Sequence, residues 1–272
     1  CHGCRRCLNL CDSFPRLFDL IDGAKTGELN SVESRDFKPV VDACTLCDMC
    51  FMTKCPYVPP HDFDIDIPHL MLRYRAAQAK VGEIGLAHRQ LTETDRNGKL
   101  NCGAMSGVVN WASSCNNHVT RPVMEGLLGV DQKADLPKFS KKTLVKMAAD
   151  EQVEVNRNAP AMGRKAVIYA TCFANYNEPE IGQAARRVLA QNGVETKVIY
   201  PECCGMPQLE TGQIGRVAEK AKRIAAEMGK YIDEGWDIVA LVPSCARMRK
   251  FEGPLIVPND ADVLKLASST FD

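Results

Sequence analysis

Cys44-Thr45-Leu46-Cys47-Asp48-Met49-Cys50-Phe51-Met52-Thr53-Lys54-Cys55-Pro56 spaces four thiols as C-x2-C-x2-C-x4-C and ends on a proline. Two-residue gaps let a tight loop wrap one metal centre, so three sulfurs reach it together and the fourth arrives from elsewhere. Upstream, Cys1, Cys4, Cys7 and Cys11 repeat the pattern as C-x2-C-x2-C-x3-C. Where two such runs hold two [4Fe–4S] clusters, the fourth cysteine of each run serves the other cluster. By that rule Cys1, Cys4, Cys7 and Cys55 hold one cluster, and Cys44, Cys47, Cys50 and Cys11 hold the second. Soft thiolates also suit zinc, but zinc ribbons use paired C-x2-C units rather than triplets closed by a distant ligand.

The runs depart from the usual pattern in two places. Asp12 stands where a proline ordinarily follows the fourth cysteine, and the second run carries one extra residue before Cys55. Between the runs, Phe14, Leu17, Phe18, Leu20 and Ile21 recur at helical spacing, Gly23 and Gly27 punctuate a loop, and Val40-Val41 leads into the second run. The 32 residues between Cys11 and Cys44 exceed a compact bacterial ferredoxin, so helices are expected to carry the clusters. Beyond Pro56, Pro59 and Pro60, the residues Ile67, Leu70, Met71 and Tyr74 fall at i, i+3, i+4, i+7, the stripe of an amphipathic helix. Arg73, Arg75 and Lys80 on its other flank read as a solvated basic edge, with a membrane or partner surface as the alternative.

Composition bounds the rest. With 272 residues, 45% hydrophobic and 25% charged, the chain is long enough for two globular domains. Lys plus Arg equals Asp plus Glu at 34 each, so no net field recruits nucleic acid or an anionic membrane. The longest apolar runs, such as Ile238–Val242, are far too short for a transmembrane segment, and no secretory signal is visible. A first residue of Cys1, with no Met, points to a cropped or processed chain. Of the 14 cysteines, eight are bunched in two runs at mostly three-residue intervals, which suits metal binding in a reducing, cytoplasmic compartment better than disulfides.

Residues 86–160 say least. Asp95-Arg96-Asn97-Gly98-Lys99 reads as a turn, Arg121–Leu128 as a helix, and Leu136-Pro137-Lys138-Phe139 as a linker. Cys102, Cys115 and His118 are too few and too far apart for a convincing zinc site, so the thiols read as buried and structural. His2, His61, His69 and His88 have no partner at ligand spacing.

From residue 164 strands and helices alternate. Lys165–Ala170, Thr196–Tyr200 and Asp237–Val242 read as strands, with Leu255-Ile256-Val257 as a fourth. A helix capped by Asn177 runs to Gly193, and a second spans Leu209–Glu234 with the apolar stripe Ile214, Val217, Ala218, Ala221, Ile224, Ala225 and Met228. This is a βαβαβ unit with a parallel sheet. Cys172 follows the first strand, Cys203 and Cys204 the second, and Cys245 the third. The strand C-termini of such a sheet share one edge, where ligands bind, so the four thiols are expected to converge there as a metal or cluster site. Gly205 would let backbone approach a bound cofactor, and helix N-termini beyond the loops would favour thiolates. No Gly-x-Gly-x-x-Gly follows the first strand, which leaves a dinucleotide site unsupported.

The double cysteine run, followed by Cys203-Cys204-Gly205-Met206-Pro207 and Cys245, resembles the heterodisulfide-reductase-related Fe–S family. That is the group of the iron–sulfur subunits of anaerobic glycerol-3-phosphate dehydrogenase and glycolate oxidase. The resemblance implies an α + α/β chain. An α-helical ferredoxin-like domain with two [4Fe–4S] clusters occupies 1–85, a mostly helical connector 86–160, and a cysteine-rich (CCG) α/β domain 161–272. Cys172, Cys203, Cys204 and Cys245 match the family's cysteine-rich site, with a third Fe–S cluster or a zinc ion as its occupant. Two features depart from the pattern: Met248 replaces the final cysteine of the closing C-x2-C, and one cysteine-rich domain is present instead of two. The expected role is an electron-transfer subunit working with a redox partner such as a flavin dehydrogenase. It would sit in the cytoplasm or peripherally on the inner face of the membrane, with a quinone reached through a membrane partner. The alternative is a disulfide reductase acting at the cysteine-rich site, and a third reading is a metal-stapled structural protein.

Overall fold

The computed structural model describes residues 3–82 and 84–272. They form two compact units, one reaching Ile84 and including Leu209–Gln213, the other comprising Gly85–Gln208 and Ile214–Asp272.

In the first unit, helix α1 (Ser13–Asp22) buries Phe14, Phe18 and Ile21, spaced i, i+4, i+7 as one apolar face requires. It packs on α2 (Lys38–Asp42), whose Val40 and Val41 are buried, and Ser13 Oγ donates to the Val40 carbonyl at 2.8 Å. Helix α3 (Ile67–Lys80) is capped by Asp66, whose carboxylate accepts from the His69 N–H at 3.0 Å. Its inward face differs from the stripe expected. Leu70 is 54% exposed, whereas Pro68, Met71 and Leu72 are buried and Arg75 continues that same row inward. The cause is polar: the Arg75 guanidinium donates to the carbonyls of Val41, at 2.6 Å, and Cys44, which rotates the helix about its axis relative to the purely apolar solution.

The second unit opens with short helices: α4 (Leu86–Leu91), α5 (Thr94–Asn101), α6 (Ser106–Ser113), α7 (Thr120–Leu128) and α8 (Leu144–Asp150). The segment 95–99, expected to be a turn, lies inside α5. Asp95 in its first turn complements the helix dipole, and Gly98 fits because a Cβ there would stand 2.2 Å from the Tyr176 ring. Arg121, almost fully buried, donates to the carbonyls of Ser113, Asp131, Gln132 and Ala134 and so pins the loop after α7.

The sheet follows. Strands β1 (Lys165–Tyr169), β2 (Glu195–Ile199), β3 (Asp237–Ala240) and β4 (Thr270–Phe271) pair in the order β2-β1-β3-β4, all parallel. Val167, Ile168 and Tyr169 are fully buried, as expected of a strand covered on both faces. Between strands run α9 (Cys172–Tyr176), α10 (Pro179–Gln191), α11 (Met206–Glu210), α12 (Ile214–Asp233), α13 (Pro243–Arg247), α14 (Gly253–Ile256) and α15 (Ala261–Ser268). An α-helical part joined to a parallel α/β part is the fold class the sequence implied.

Four local expectations change. Asn177 terminates the unforeseen α9, and Glu178 occupies the N-cap of α10. The helix expected over 209–234 breaks between α11 and α12 at Gly212, whose φ is +74° and whose backbone lies so close to Arg75 that a Cβ would meet its carbonyl carbon at 2.4 Å. Leu255-Ile256-Val257 is not a strand. Pro254 sits in the first turn of α14, and the fourth strand is Thr270–Phe271. Among the described residues no helix is long and apolar enough to cross a membrane.

Candidate metal centres

In the first unit the ligand loops are shaped by left-handed residues. Arg5, Leu46 and Asp48 have φ of 45°, 51° and 60°, so the chain folds back tightly around Cys4 and Cys47. Such turns aim successive backbone N–H groups into a concavity suited to anions and Fe–S clusters. Arg5 itself binds Asp22 and lies 5.2 Å over the Phe18 ring. Cys50 opens a π-helical turn, Cys50–Lys54, that delivers Cys55, whose N–H donates to the Cys50 carbonyl at 3.0 Å.

The thiol environments show which sulfurs face one another. Burial pushes Cys7 up, and after its own N–H pulls it back, Cys55, Cys4 and Cys11 push it further. Burial raises Cys44. The Leu46 N–H and Arg75 oppose that rise, while Cys11 and Cys47 add to it. Cys50 is pushed up to about 12, first by burial and then by Cys44, with Cys47 and Cys11 also contributing. Cys11 therefore acts on thiols of both runs, Cys7 as well as Cys44 and Cys50, and Cys55 acts on Cys7. Cys4, Cys7 and Cys55 share the lining of one cavity with Tyr57, and Cys7, Cys50 and Cys55 share another whose walls include Phe14, Val58, Ile65 and Ile67. Cys1 lies outside the described residues. Thiolate-forming side chains, an amide aimed at Cys44 and anion-favouring turns are the chemistry an anionic iron–sulfur cluster requires, and these residues fit it.

In the second unit the expected convergence occurs. Cys172 opens α9, Cys203 and Cys204 follow β2, and Cys245 lies inside α13 after β3. Their sulfurs form a row. Cys172 neighbours Cys203, Cys203 is followed by Cys204, and Cys245 Sγ donates to Cys204 Sγ at 3.3 Å. Cys203, Cys204 and Cys245 are buried. The thiolates expected from helix N-termini are overridden. Cys172 is driven well up by its bond to Cys203 and then by burial. Cys203 is eased by Cys172, but Cys204 and burial push it up to about 12. Cys204 is likewise eased by Cys203 and then pushed up to about 12 by Cys245 and burial. Gly205 has φ +92°, yet a Cβ there would make only ordinary 3.6 Å contacts with Lys220 and Val217, so its role is the left-handed turn and not close approach to a cofactor.

Polar groups far away in sequence hold this row. Asp95 accepts from the Cys203 N–H at 2.9 Å, from Tyr200 Oη, and from Lys220 Nζ at 2.9 Å; Lys220 is buried and also reaches Glu202 at 3.3 Å. Thr94 Oγ1, buried without a conventional partner, faces Cys172 and Cys203 and favours their thiolates. Arg249, 5% exposed, stacks 3.5 Å from the centroid of Tyr169 and donates to the Cys245 carbonyl at 2.9 Å, while its Nε and Nη2 have no partner. Arg249 and Cys204 line the same apolar cavity. A buried guanidinium with two unused donors beside thiols is a place for sulfur-borne negative charge, so the chemistry of the donors suits a metal-bound thiolate site, although the thiols as placed do not close round one ion. The signal for Lys220 was legible, because a lysine stands among the apolar residues of α12's inner face; Asp95, Thr94 and Arg249 had none.

Elsewhere, the Cys102 Sγ donates to the Ser140 carbonyl at 3.0 Å, whereas Cys115 is exposed, against the expectation that both are buried. His69 Nδ1 pairs with Asp66 at 2.6 Å. Among the described residues no three His, Cys, Asp or Glu side chains are gathered tightly enough to hold one metal ion.

Residues 166–248 match the family model described as a cysteine-rich (CCG) domain. The chain is 25% identical over 206 residues to one of the subunits of anaerobic glycerol-3-phosphate dehydrogenase from Escherichia coli (strain K12), covering 72% of this chain and 48% of that protein. It is 30% identical over 94 residues to one of the subunits of fumarate reductase (CoM/CoB) from Methanothermobacter marburgensis, covering 34% of this chain and 18% of the relative. Over 87 residues it is 33% identical to lactate utilization protein A 2 of Bacillus cereus (strain Q1), covering 31% and 34%. The chain spans about half the length of the glycerol-3-phosphate dehydrogenase relative it matches. No solved structure gives a significant match.

Proposed function

From a chain whose residues 166–248 are a CCG cysteine-rich domain and which is related to subunits of dehydrogenases and reductases, we propose an iron–sulfur electron-transfer subunit of such a complex. One [4Fe–4S] cluster is assigned to Cys1, Cys4, Cys7 and Cys55, and the other to Cys11, Cys44, Cys47 and Cys50. The observation that supports the reading is that Cys55 shares a cavity with Cys4 and Cys7, while Cys11 is among the thiols that act on Cys44 and Cys50. A bound [4Fe–4S] cluster takes up and returns one electron. The chain's own residues prepare for that charge. Leu46 N–H and Arg75 favour the Cys44 thiolate, and the burial that keeps the free thiols protonated shields a bound centre from water. The partner is a redox protein such as a flavin dehydrogenase, with a quinone served through a membrane partner and the protein peripheral to the inner face. Cys172, Cys203, Cys204 and Cys245 are assigned a third cluster or a zinc ion.

The test is iron, sulfide and zinc analysis with EPR on protein purified without oxygen. About eight irons with two interacting reduced [4Fe–4S] signals are expected. Further iron that disappears in Cys203→Ser and Cys204→Ser places a third cluster in the cysteine-rich domain. Zinc without iron overturns the electron-transfer reading.

The 3.3 Å separation of the Cys204 and Cys245 sulfurs favours a second reading, disulfide reduction at this site. Two electrons and two protons would convert a substrate disulfide to two thiols. Turnover of a disulfide by the chain with an artificial electron donor, lost in Cys204→Ser, is its test.

A further inference from the structure

A cavity of about 400 Å³ opens beside the thiol row, within the roughly 300–1,000 Å³ span of small-molecule sites. Its floor is aromatic. Tyr176 and Tyr200 meet edge to face with centroids 5.5 Å apart. Its lining carries Lys99, Lys141, Lys142 and Lys146 and no carboxylate. Lys142 pairs with Asp150 on the outside, whereas Lys99, Lys141 and Lys146 have no acidic partner among the described residues. An ordinary solvated basic face spreads its charge over a convex surface and intersperses acids; here three uncompensated cations converge on one concavity. Low-dielectric walls around like charges concentrate their field on whatever enters.

The cavity also shares its wall with the cysteine-rich site. Tyr176 lies on α9, the five-residue helix that Cys172 opens. The Tyr200 hydroxyl donates to Asp95, whose carboxylate accepts from the Cys203 N–H. Whatever occupies the cavity therefore lies against the two side chains that separate it from Asp95 and Cys172. We infer that this lysine-lined cavity is a binding site for a small organic anion bearing two or more carboxylate or phosphate groups, seated on Tyr176 and Tyr200 beside the cysteine-rich centre. The lysines meet the oxyanions, and the aromatic floor takes the carbon skeleton. The site is independent of whether the ferredoxin-like clusters are present.

The test uses the full chain as isolated, with citrate and fructose 1,6-bisphosphate as probes, titrated calorimetrically at constant ionic strength against neutral fructose. Saturable binding of either probe with a Kd below about 1 mM is expected. The stronger of the two identifies the carboxylate or the phosphate ester as the physiological headgroup. Lys141→Gln and Lys146→Gln should each weaken binding roughly three- to tenfold, while Lys230→Gln, on α12, leaves it unchanged. A second readout is chemical. Cys102 lines the cavity and Cys115 does not, so the better probe should slow iodoacetamide labelling of Cys102 and leave exposed Cys115 unaffected. No saturable binding of either probe, or binding that Lys141→Gln and Lys146→Gln leave intact, overturns the inference. So does binding only of a polyanion such as RNA or heparin, which would mark a macromolecular surface.

Discussion

Replacing Asp95 with Ala removes the acceptor on which the cysteine-rich site is hung. Its carboxylate takes hydrogen bonds from the Cys203 N–H at 2.9 Å, from the Tyr200 hydroxyl and from Lys220 Nζ at 2.9 Å. After the substitution the Cys203 N–H and the Tyr200 hydroxyl are left unpaired, at about 1–3 kcal/mol for a buried donor. Lys220 falls back on Glu202, at 3.3 Å, which Arg223 already engages at 2.7 Å. Stranding part of a buried charge moves the total to about 3–5 kcal/mol. For a unit of this size the melting temperature should fall by about 6–20 °C. Differential scanning calorimetry of the full chain would measure it. Asp95→Asn, which keeps an acceptor for one donor, should recover part of the loss. A drop under about 2 °C for Asp95→Ala, or an Asn variant no better than Ala, would refute the reasoning, because the carboxylate would then be bystander and not keystone.

Lys220 gives an alkaline limb. Burial disfavours its ammonium, but the Asp95 hydrogen bond and the fields of Asp95, Cys203 and Glu202 outweigh that and raise its pKa above 10.5. Its contribution is complete below 10.5 and fades as pH climbs through the raised value, which urea titrations from pH 8 to 11.5 should show and Lys220→Met should abolish. Gly98→Ala places a methyl 2.2 Å from the Tyr176 ring and should cost about 1–3 kcal/mol by thermal unfolding, with Tyr176→Ala partly compensating. Cys11→Ser and Cys55→Ser should each remove about half the ferredoxin-type iron and simplify the coupled EPR signal to that of a single cluster. Arg249→Met leaves the Cys204–Cys245 sulfurs without their cation, so metal at that site should be lost to a chelator faster, with iron in the first unit unaffected.

What the sequence made legible was whatever repeats at short range. The cysteine runs, the apolar strands β1 to β3 and the stripe of α12 each declare themselves within a dozen residues. Cysteines placed after three successive strands were enough to predict convergence, because parallel strands share one edge. The polar frame was hidden apart from the lysine on α12's apolar face, since Asp95 lies 125 residues from Lys220 and meets it only through the tertiary fold. The Leu255-Ile256-Val257 run is β-prone, yet Pro254 and packing against α15 hold it in a helix. In α3 one arginine serving backbone carbonyls outweighed an apolar leucine in deciding which face turns inward.

The five residues Leu209–Gln213 belong to the first unit although α11 begins two positions after Cys204. Arg75 donates to the Glu210 carbonyl at 3.0 Å, and Gly212 lies against Arg75's own backbone. Severing the chain near residue 84 would thus leave a fragment missing a wall of its own. The two parts of this protein are joined three times by covalent thread, like a garment stitched, carried on and stitched back, and neither can be cut free as a cassette with a single snip.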